Sequence, residues 1–156
     1  MCKVALISST GGHWTQLNNI INEFNSPKQN HFVELQLITE KNETNISRND
    51  IKFLVQQDRK KIYFLFILIR NLIVSIFLFL KFRPDYVIST GAGVVLPYLF
   101  IAKIYGSKII FIESYAKVNS PTITGRIVYR FADIFYVQWP SMLRFYPNGI
   151  YKGSLY

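Results

Sequence analysis

Between Ile62 and Leu80 the chain carries an almost unbroken apolar and aromatic run, IYFLFILIRNLIVSIFLFL, nineteen residues long. As a helix it would be roughly 28 Å long, close to the ~30 Å hydrocarbon core of a bilayer. Length alone permits a span. The flanking sequence argues against one, because Val4 to Thr10 before the run, and Tyr86 to Thr90 and Ile109 to Glu113 after it, read as strands of one parallel sheet. A single crossing would divide that sheet between two sides of a membrane. Arg70 and Asn71, near the middle of the run, raise a second objection, since charge at a bilayer centre is expensive. The run is expected to lie in the interface or dip into one leaflet, with Phe64, Leu68, Leu72, Phe77 and Phe79 toward lipid. The alternative is a buried core helix.

The charge distribution supports a membrane surface. Of 156 residues, 18 are basic and 9 acidic, a net charge of +9. Residues 1–58 hold five basic and six acidic side chains, 59–85 six and one, and 86–156 seven and two, so the excess begins where the apolar run begins. Arg59, Lys60 and Lys61 lead into it and Lys81 and Arg83 leave it, as expected of anchors at an anionic headgroup layer. A nucleic-acid partner would explain the charge but not the helix, and no basic-aromatic strand motif or zinc spacing accompanies it. A generally basic solvated surface is the plainer alternative. An aromatic content of 16% points to apolar surface reserved for lipid or a partner. The single cysteine, Cys2, excludes a disulfide framework and fits a reducing compartment. No signal peptide is expected, because Met1-Cys2-Lys3 runs directly into a strand.

Apolar runs and turn residues alternate along the chain. Val4 to Ile7 reads as a buried strand, closed by Ser8-Ser9-Thr10-Gly11-Gly12. Leu17, Ile20, Ile21 and Phe24 then fall at helical spacing, with a stop at Asn25-Ser26 before Pro27. Phe32 to Thr39 alternates like a strand near a sheet edge, and Asn42 to Asn49 reads as a polar loop. After the long apolar run, Arg83-Pro84-Asp85 breaks the helix and Tyr86 to Ser89 forms another strand, closed by Thr90-Gly91-Ala92-Gly93. Val94 to Tyr105 predicts a helix with Pro97 in its first turn and Gly106 past its end. Lys108 to Ile112 is a strand, Thr124 to Ala132 a helix, and Ile134 to Trp139 a last strand stopped by Pro140. The length suits one domain, and the alternation predicts a doubly wound α/β sheet.

In such sheets ligands sit at the carboxyl ends of the strands, where three turns converge. Thr10, Gly11 and Gly12 let the backbone turn sharply and present helix N-terminal N–H groups to an anion, although a tight strand-helix connection needs the same glycines. His13 follows at the helix start and is a candidate general base, against the commoner structural histidine. Gly91 and Gly93 form a second turn suited to a phosphate or sugar, or simply to close helix-sheet packing. Glu113 closes a third strand, where it could hold a sugar hydroxyl, orient His13 or pair with a nearby cation. Arg126 and Arg130 stand one helical turn apart, suited to phosphate or to solvent. No Gly-Lys-Ser/Thr follows a glycine loop, which excludes a P-loop nucleotidase. Gly-x-Gly-x-x-Gly is missing too, although Glu40 could imitate the ribose ligand of a dinucleotide fold. With no Asp-x-Asp and no His/Cys cluster, no metal is implied.

Three segments taken in order, STGGHWTQL, RPDYVISTGAGVVLPYLFIAKIYGSKIIFIES and DIFYVQWP, resemble the PssD/CpsF polysaccharide-biosynthesis proteins. These are the bacterial relatives of the membrane subunit of the two-chain UDP-GlcNAc transferase of dolichol-linked oligosaccharide assembly. More distantly the chain is similar to the N-terminal, acceptor-side half of MurG, a GT-B transferase acting on a lipid-linked sugar. The resemblance implies a split, inverting, metal-independent glycosyltransferase. This chain, 1–156, would be the acceptor-side half-domain at the cytoplasmic face of the membrane, and a second polypeptide would bind the UDP-sugar, galactose or GlcNAc. No cofactor is implied. The acceptor would be an undecaprenyl-diphosphate-linked saccharide of capsule or exopolysaccharide synthesis, met by Thr10, Gly11, Gly12, Gly91, Gly93 and Glu113, with His13 as the candidate base; Arg126, outside these segments, joins them as a binding candidate by its charge alone. Ser8-Ser9 stand where the MurG-type turn is richer in glycine. Two other classes remain beside this one: a non-catalytic recruiter that enhances its partner, and a free-standing dinucleotide enzyme.

Overall fold

Seven parallel strands form one sheet in the order β3-β2-β1-β4-β5-β6-β7. The strands are β1 (Cys2–Ser8), β2 (Val33–Glu40), β3 (Ile51–Leu54), β4 (Tyr86–Gly91), β5 (Lys108–Ile112), β6 (Ile134–Val137) and β7 (Ile150–Tyr151). The helices between them are α1 (Gly12–Phe24), α2 (Phe64–Phe82), α3 (Leu96–Ile104) and α4 (Ile123–Val128). This computed structural model describes residues 1–24, 33–41, 49–57 and 63–155. The expected helix stop at Asn25 to Pro27, Phe32, the loop Asn42 to Arg48, and the basic lead Arg59-Lys60-Lys61 with Ile62 lie outside the described residues.

Parity along β1 builds the two-sided core. Ala5 and Ile7 face one cluster, with Val87, Val95, Tyr98, Leu99 and Phe111, while Val4 and Leu6 face the other, with Leu17, Ile21 and Leu37. Successive side chains of a strand point to opposite faces, so a run of four apolar residues serves both layers. The doubly wound α/β sheet expected from the alternation is present. β1 pairs with both β2 and β4, Val4 lying opposite Leu35 on one side and Tyr86 on the other. The chain winds outward from β1 to β3 and then returns to start again at β4. That reversal opens a crevice at the carboxyl ends of β1 and β4.

The long apolar helix joins the two halves. β3 and β4, the strands on either side of α2, belong to the same sheet, so α2 lies along it and does not separate them. By length and composition it could cross a membrane, yet Asn71, Ser75, Phe79 and Phe82 form a buried stripe. Asn71 anchors that stripe: its Oδ1 accepts from Val55 N–H at 2.9 Å and its Nδ2 donates to Val55 O at 2.7 Å. Arg70 is exposed. The lipid-facing assignment of Phe79 is corrected: only 2% exposed, it packs in the core against Tyr98 and Tyr105. Phe77 at 70% and Leu72 at 41% do face outward, joined by Leu65, Phe66, Ile69, Ile73, Ile76 and Leu80, whereas Phe64 and Leu68 are half-buried. Two residues differ so much because Phe77 and Phe79 stand about 200° apart around the axis. The helix ends where Arg83 takes a left-handed conformation (φ +49°) before Pro84.

Other expectations shift in detail. β2 lies inside the sheet, because β3, a strand not anticipated in Ile51-Lys52-Phe53-Leu54, pairs along its outer side. The helix expected from Val94 opens as a 3-10 turn, Gly93–Val95, before α3, and Gly106 (φ +86°) closes it. α4 stops at Val128, so Arg130 lies in the turn beyond it and does not share a helix face with Arg126. β6 ends at Val137, and β7 was not anticipated.

Candidate functional site

The two glycine turns meet at the crevice and are stitched together. Ser9 N–H donates to Gly91 O at 2.7 Å, and Ala92 N–H donates to Ser9 Oγ at 3.3 Å. Gly11 holds φ +72° with open space around its Cα, so glycine serves the conformation there and not the packing. α1 starts at Gly12, and the first N–H groups of a helix have no acceptor within it. Two sequence-derived candidates, Thr10 and His13, thereby flank an N-terminus that faces the crevice.

His13 is held by the opposite turn. Its Nδ1 lies 2.5 Å from Thr90 O, and Thr90 Oγ1 donates to His13 O at 2.9 Å. A carbonyl oxygen only accepts, so Nδ1 carries the hydrogen of this bond and Nε2 is the ring nitrogen left for proton transfer. This is the arrangement a general base needs. Gly91 makes room for it: at φ +99° a side chain is strained, and a Cβ would lie 3.2 Å from His13 Cε1. Gly93 begins the 3-10 turn that leads into α3, with Pro97 near the helix start.

Glu40, at the end of β2 and 6% exposed, ties down the first turn. Its Oε2 accepts from Thr10 N–H at 3.2 Å and from Thr10 Oγ1 at 3.4 Å, and its Oε1 accepts from Gln57 N–H at 3.1 Å. The carboxylate weighed as a ribose ligand is thus engaged with the loop itself. Thr10 spends its backbone donor on Glu40, which leaves anion contact at this turn to the N–H groups that follow.

Glu113 does something other than orient His13 or pair with a cation. It is 1% exposed, and its carboxylate accepts from Ser114 N–H at 2.8 Å, Thr122 N–H at 3.3 Å, Thr122 Oγ1 at 2.9 Å and the Tyr146 hydroxyl at 2.5 Å. Thr122 in turn caps α4 by accepting from Gly125 N–H at 2.7 Å. Any Cβ at Gly125 would collide with the Glu113 carboxylate and the Tyr146 hydroxyl. Burial, reinforced by the hydrogen bond and charge of Glu113 and opposed by Arg126, pushes the Tyr146 phenol far above its ordinary range, so it stays a donor. Arg126 itself is exposed on α4. Gln138 links this hub to α1, its Nε2 donating to Glu113 O at 2.8 Å and to Gln16 Oε1 at 3.0 Å.

Sequence reasoning singled out the two turns, His13 and Glu113 as candidates; the structure adds Thr90 as the partner of His13 and Glu40, Gln57, Gln138 and Tyr146 as organisers. Polar residues closing apolar strands, as Glu40 and Gln138 do, were the available signal. Among the described residues no group of three or more His, Cys, Asp or Glu could hold a metal ion.

Comparison with known proteins gives a consistent set of relatives. The UDP-N-acetylglucosamine transferase subunit ALG14 of Rattus norvegicus is 30% identical over 81 residues, 48% of this chain and 38% of that protein. Its Candida albicans namesake is 36% identical over 93 residues, covering 56% and 42%. The chain thus matches about two fifths of the length of these curated relatives. Among solved structures, Acinetobacter baumannii MurG superposes with a TM-score of 0.70 at 16% identity, covering 90% of this chain and 43% of that one. A UDP-N-acetylglucosamine 2-epimerase of Rickettsia bellii does so with a TM-score of 0.73 at 18% identity, covering 99% and 45%. These superpositions establish a Rossmann-like, GT-B-like fold. The family described as "Oligosaccharide biosynthesis protein Alg14 like" matches residues 4–155, and with nearly the whole length matched the chain belongs to that family.

Proposed function

We propose that this chain is the membrane-associated, acceptor-binding subunit of a two-component glycosyltransferase. A second subunit would carry the UDP-sugar, and the acceptor would be a saccharide on a polyprenyl diphosphate, undecaprenyl in a bacterial capsule or exopolysaccharide system of the PssD/CpsF kind. The observation that carries this reading is His13, positioned by Thr90 at the crevice between two glycine turns. In the proposed step Nε2 of His13 takes the proton of the acceptor hydroxyl as its oxygen attacks the anomeric carbon of the donor sugar. UDP departs with the electron pair of the broken bond, and configuration inverts. N–H groups at the start of α1 and the turn at Gly91 and Gly93 would meet acceptor phosphate and sugar, with Arg126 at the rim. The exposed side of α2 would hold the chain on an anionic membrane surface at the cytoplasmic face, confining enzyme and acceptor to two dimensions.

The test is transfer from a UDP-sugar to a polyprenyl-diphosphate saccharide, with this chain and its donor-binding partner assayed separately and mixed. Activity only in the mixture is expected, and His13→Ala should lower it about 100-fold or more. A rate near that of the unmodified pair would confine His13 to scaffolding. One observation favours a second reading, non-catalytic recruitment: Thr10 and Nδ1 of His13 are already satisfied within the chain. On that reading the partner alone transfers slowly, and substitutions in the glycine turns alter complex formation more than turnover.

A further inference from the structure

Between the N-terminal half of α2 and the length of α3 runs an apolar groove of about 710 Å³. Phe64, Leu68 and Leu72, at i, i+4 and i+8, form one wall, and Leu96, Phe100 and Ile104 the other. This wall of α2 is distinct from its buried stripe at Asn71, Ser75, Phe79 and Phe82. The first two turns of α2 contribute no buried residue at all, and Asn71, the first anchor, is tied to Val55 just beyond β3. About 10 Å of apolar helix therefore precedes that anchor.

The groove has a polar end. Gln57 and Gly93 line it there, and Gln57 N–H is bonded to the same Glu40 carboxylate that holds Thr10 of the first glycine turn. The side-chain Nε2 of Gln57 is buried and has no acceptor among the described residues. A buried donor without an acceptor is costly and calls for a partner absent from the free chain. At Leu72 the apolar wall passes directly into the outward face of α2, where Ile69, Ile73 and Ile76 are exposed. One continuous path thus leads from the crevice, past a lone amide donor, along hydrocarbon-lined walls to the lipid-facing side.

The geometry points to this groove as the seat of the first isoprene units of the lipid-linked acceptor, with Gln57 Nε2 donating to a phosphate oxygen at its head. A ligand with a diphosphate at one end and a branched hydrocarbon at the other matches both the polarity and its direction. This inference rests on the acceptor-binding reading above and names what that site holds besides the sugar. The groove would draw the lipid diphosphate out of the bilayer and fix its distance from His13.

The test titrates farnesyl diphosphate, geranyl diphosphate and inorganic diphosphate against the whole chain kept soluble in amphipol, unmodified and as Leu68→Trp or Phe100→Trp, each checked for an unchanged thermal midpoint. Farnesyl diphosphate is expected to bind at least tenfold tighter than geranyl diphosphate and 100-fold tighter than inorganic diphosphate. Either tryptophan should fill the groove and abolish this chain-length dependence while leaving inorganic diphosphate binding unaltered. A benzophenone-bearing farnesyl diphosphate should crosslink the unmodified chain within 64–72 or 96–104, a readout that needs no variant to fold. Equal affinity for all three ligands, retention of chain-length dependence in both variants, or crosslinks confined elsewhere would overturn the groove. If those results coincide with intact transfer by the two-subunit enzyme, the acceptor-binding reading survives and only the tail's seat is lost. Chain-length dependence without any transfer would leave the groove standing and sink the transferase reading.

Discussion

Gly91 and Gly125 show how single residues hold this site open. Gly91→Ala puts a methyl group at φ +99° within 3.2 Å of the His13 ring, so it should displace His13 and, in the proposed two-subunit transferase, cut transfer at least tenfold. Chemical shifts of the imidazole should move with it. Gly125→Ala strikes the Glu113 carboxylate where Thr122 and Tyr146 converge. Overpacking there, with a buried carboxylate losing its donors, should destabilise by about 3 kcal/mol in a urea titration. Asp133 gives a pH signature. Burial alone would raise its carboxyl, but the backbone N–H of Ile109 and then Lys103 and Lys108 outweigh that and hold it below the usual range. A depressed carboxyl stabilises above its unfolded value, about 4, and that contribution disappears as pH falls through the folded value. Compared with Asp133→Asn, the unmodified chain should therefore be the more stable at pH 7, with the difference shrinking toward pH 3 when both are melted across that range.

At the scale of elements, α2 combines a buried stripe and an exposed apolar surface in one helix. Phe66→Ser together with Phe77→Ser removes side chains that are 76% and 70% exposed. Co-sedimentation with phosphatidylglycerol-containing vesicles should fall severalfold with little change in stability. Phe79→Ala, two residues from Phe77, should do the reverse, costing about 3 kcal/mol of stability in a denaturant titration and leaving vesicle binding intact. The apolar run was legible in the sequence because sixteen hydrophobic residues within nineteen need no partner to be noticed. Its sidedness was not, because nearly every position is apolar and the periodicity that separates inside from outside is faint. The Asn71 amide on Val55, the burial of Ser75 and Phe82, and the rings of Tyr98 and Tyr105 around Phe79 set the rotation. β3 escaped notice for a related reason: four residues, half of them buried, carry little pattern.

For the whole molecule, one sheet containing both β3 and β4 requires the regions before and after α2 to lie on the same side of any membrane the helix meets. Cysteines placed at Lys41 and Lys108 in a Cys2→Ser background should react with an impermeant maleimide from the same face of sealed vesicles. Labelling from opposite faces would be incompatible with this sheet. The sequence by itself determined most of the alternation of strand and helix, the glycine turns at Gly11-Gly12 and Gly91 to Gly93, His13 at a helix start, and an apolar helix that the structure places at Phe64–Phe82. All of these depend on local spacing and residue chemistry. Which side chains meet was decided only by the tertiary structure. His13 and Thr90 are 77 residues apart, and Glu113 and Tyr146 are 33. The order of strands brings each pair together, and strand order reflects how buried faces pack against one another across the chain, which no local window contains.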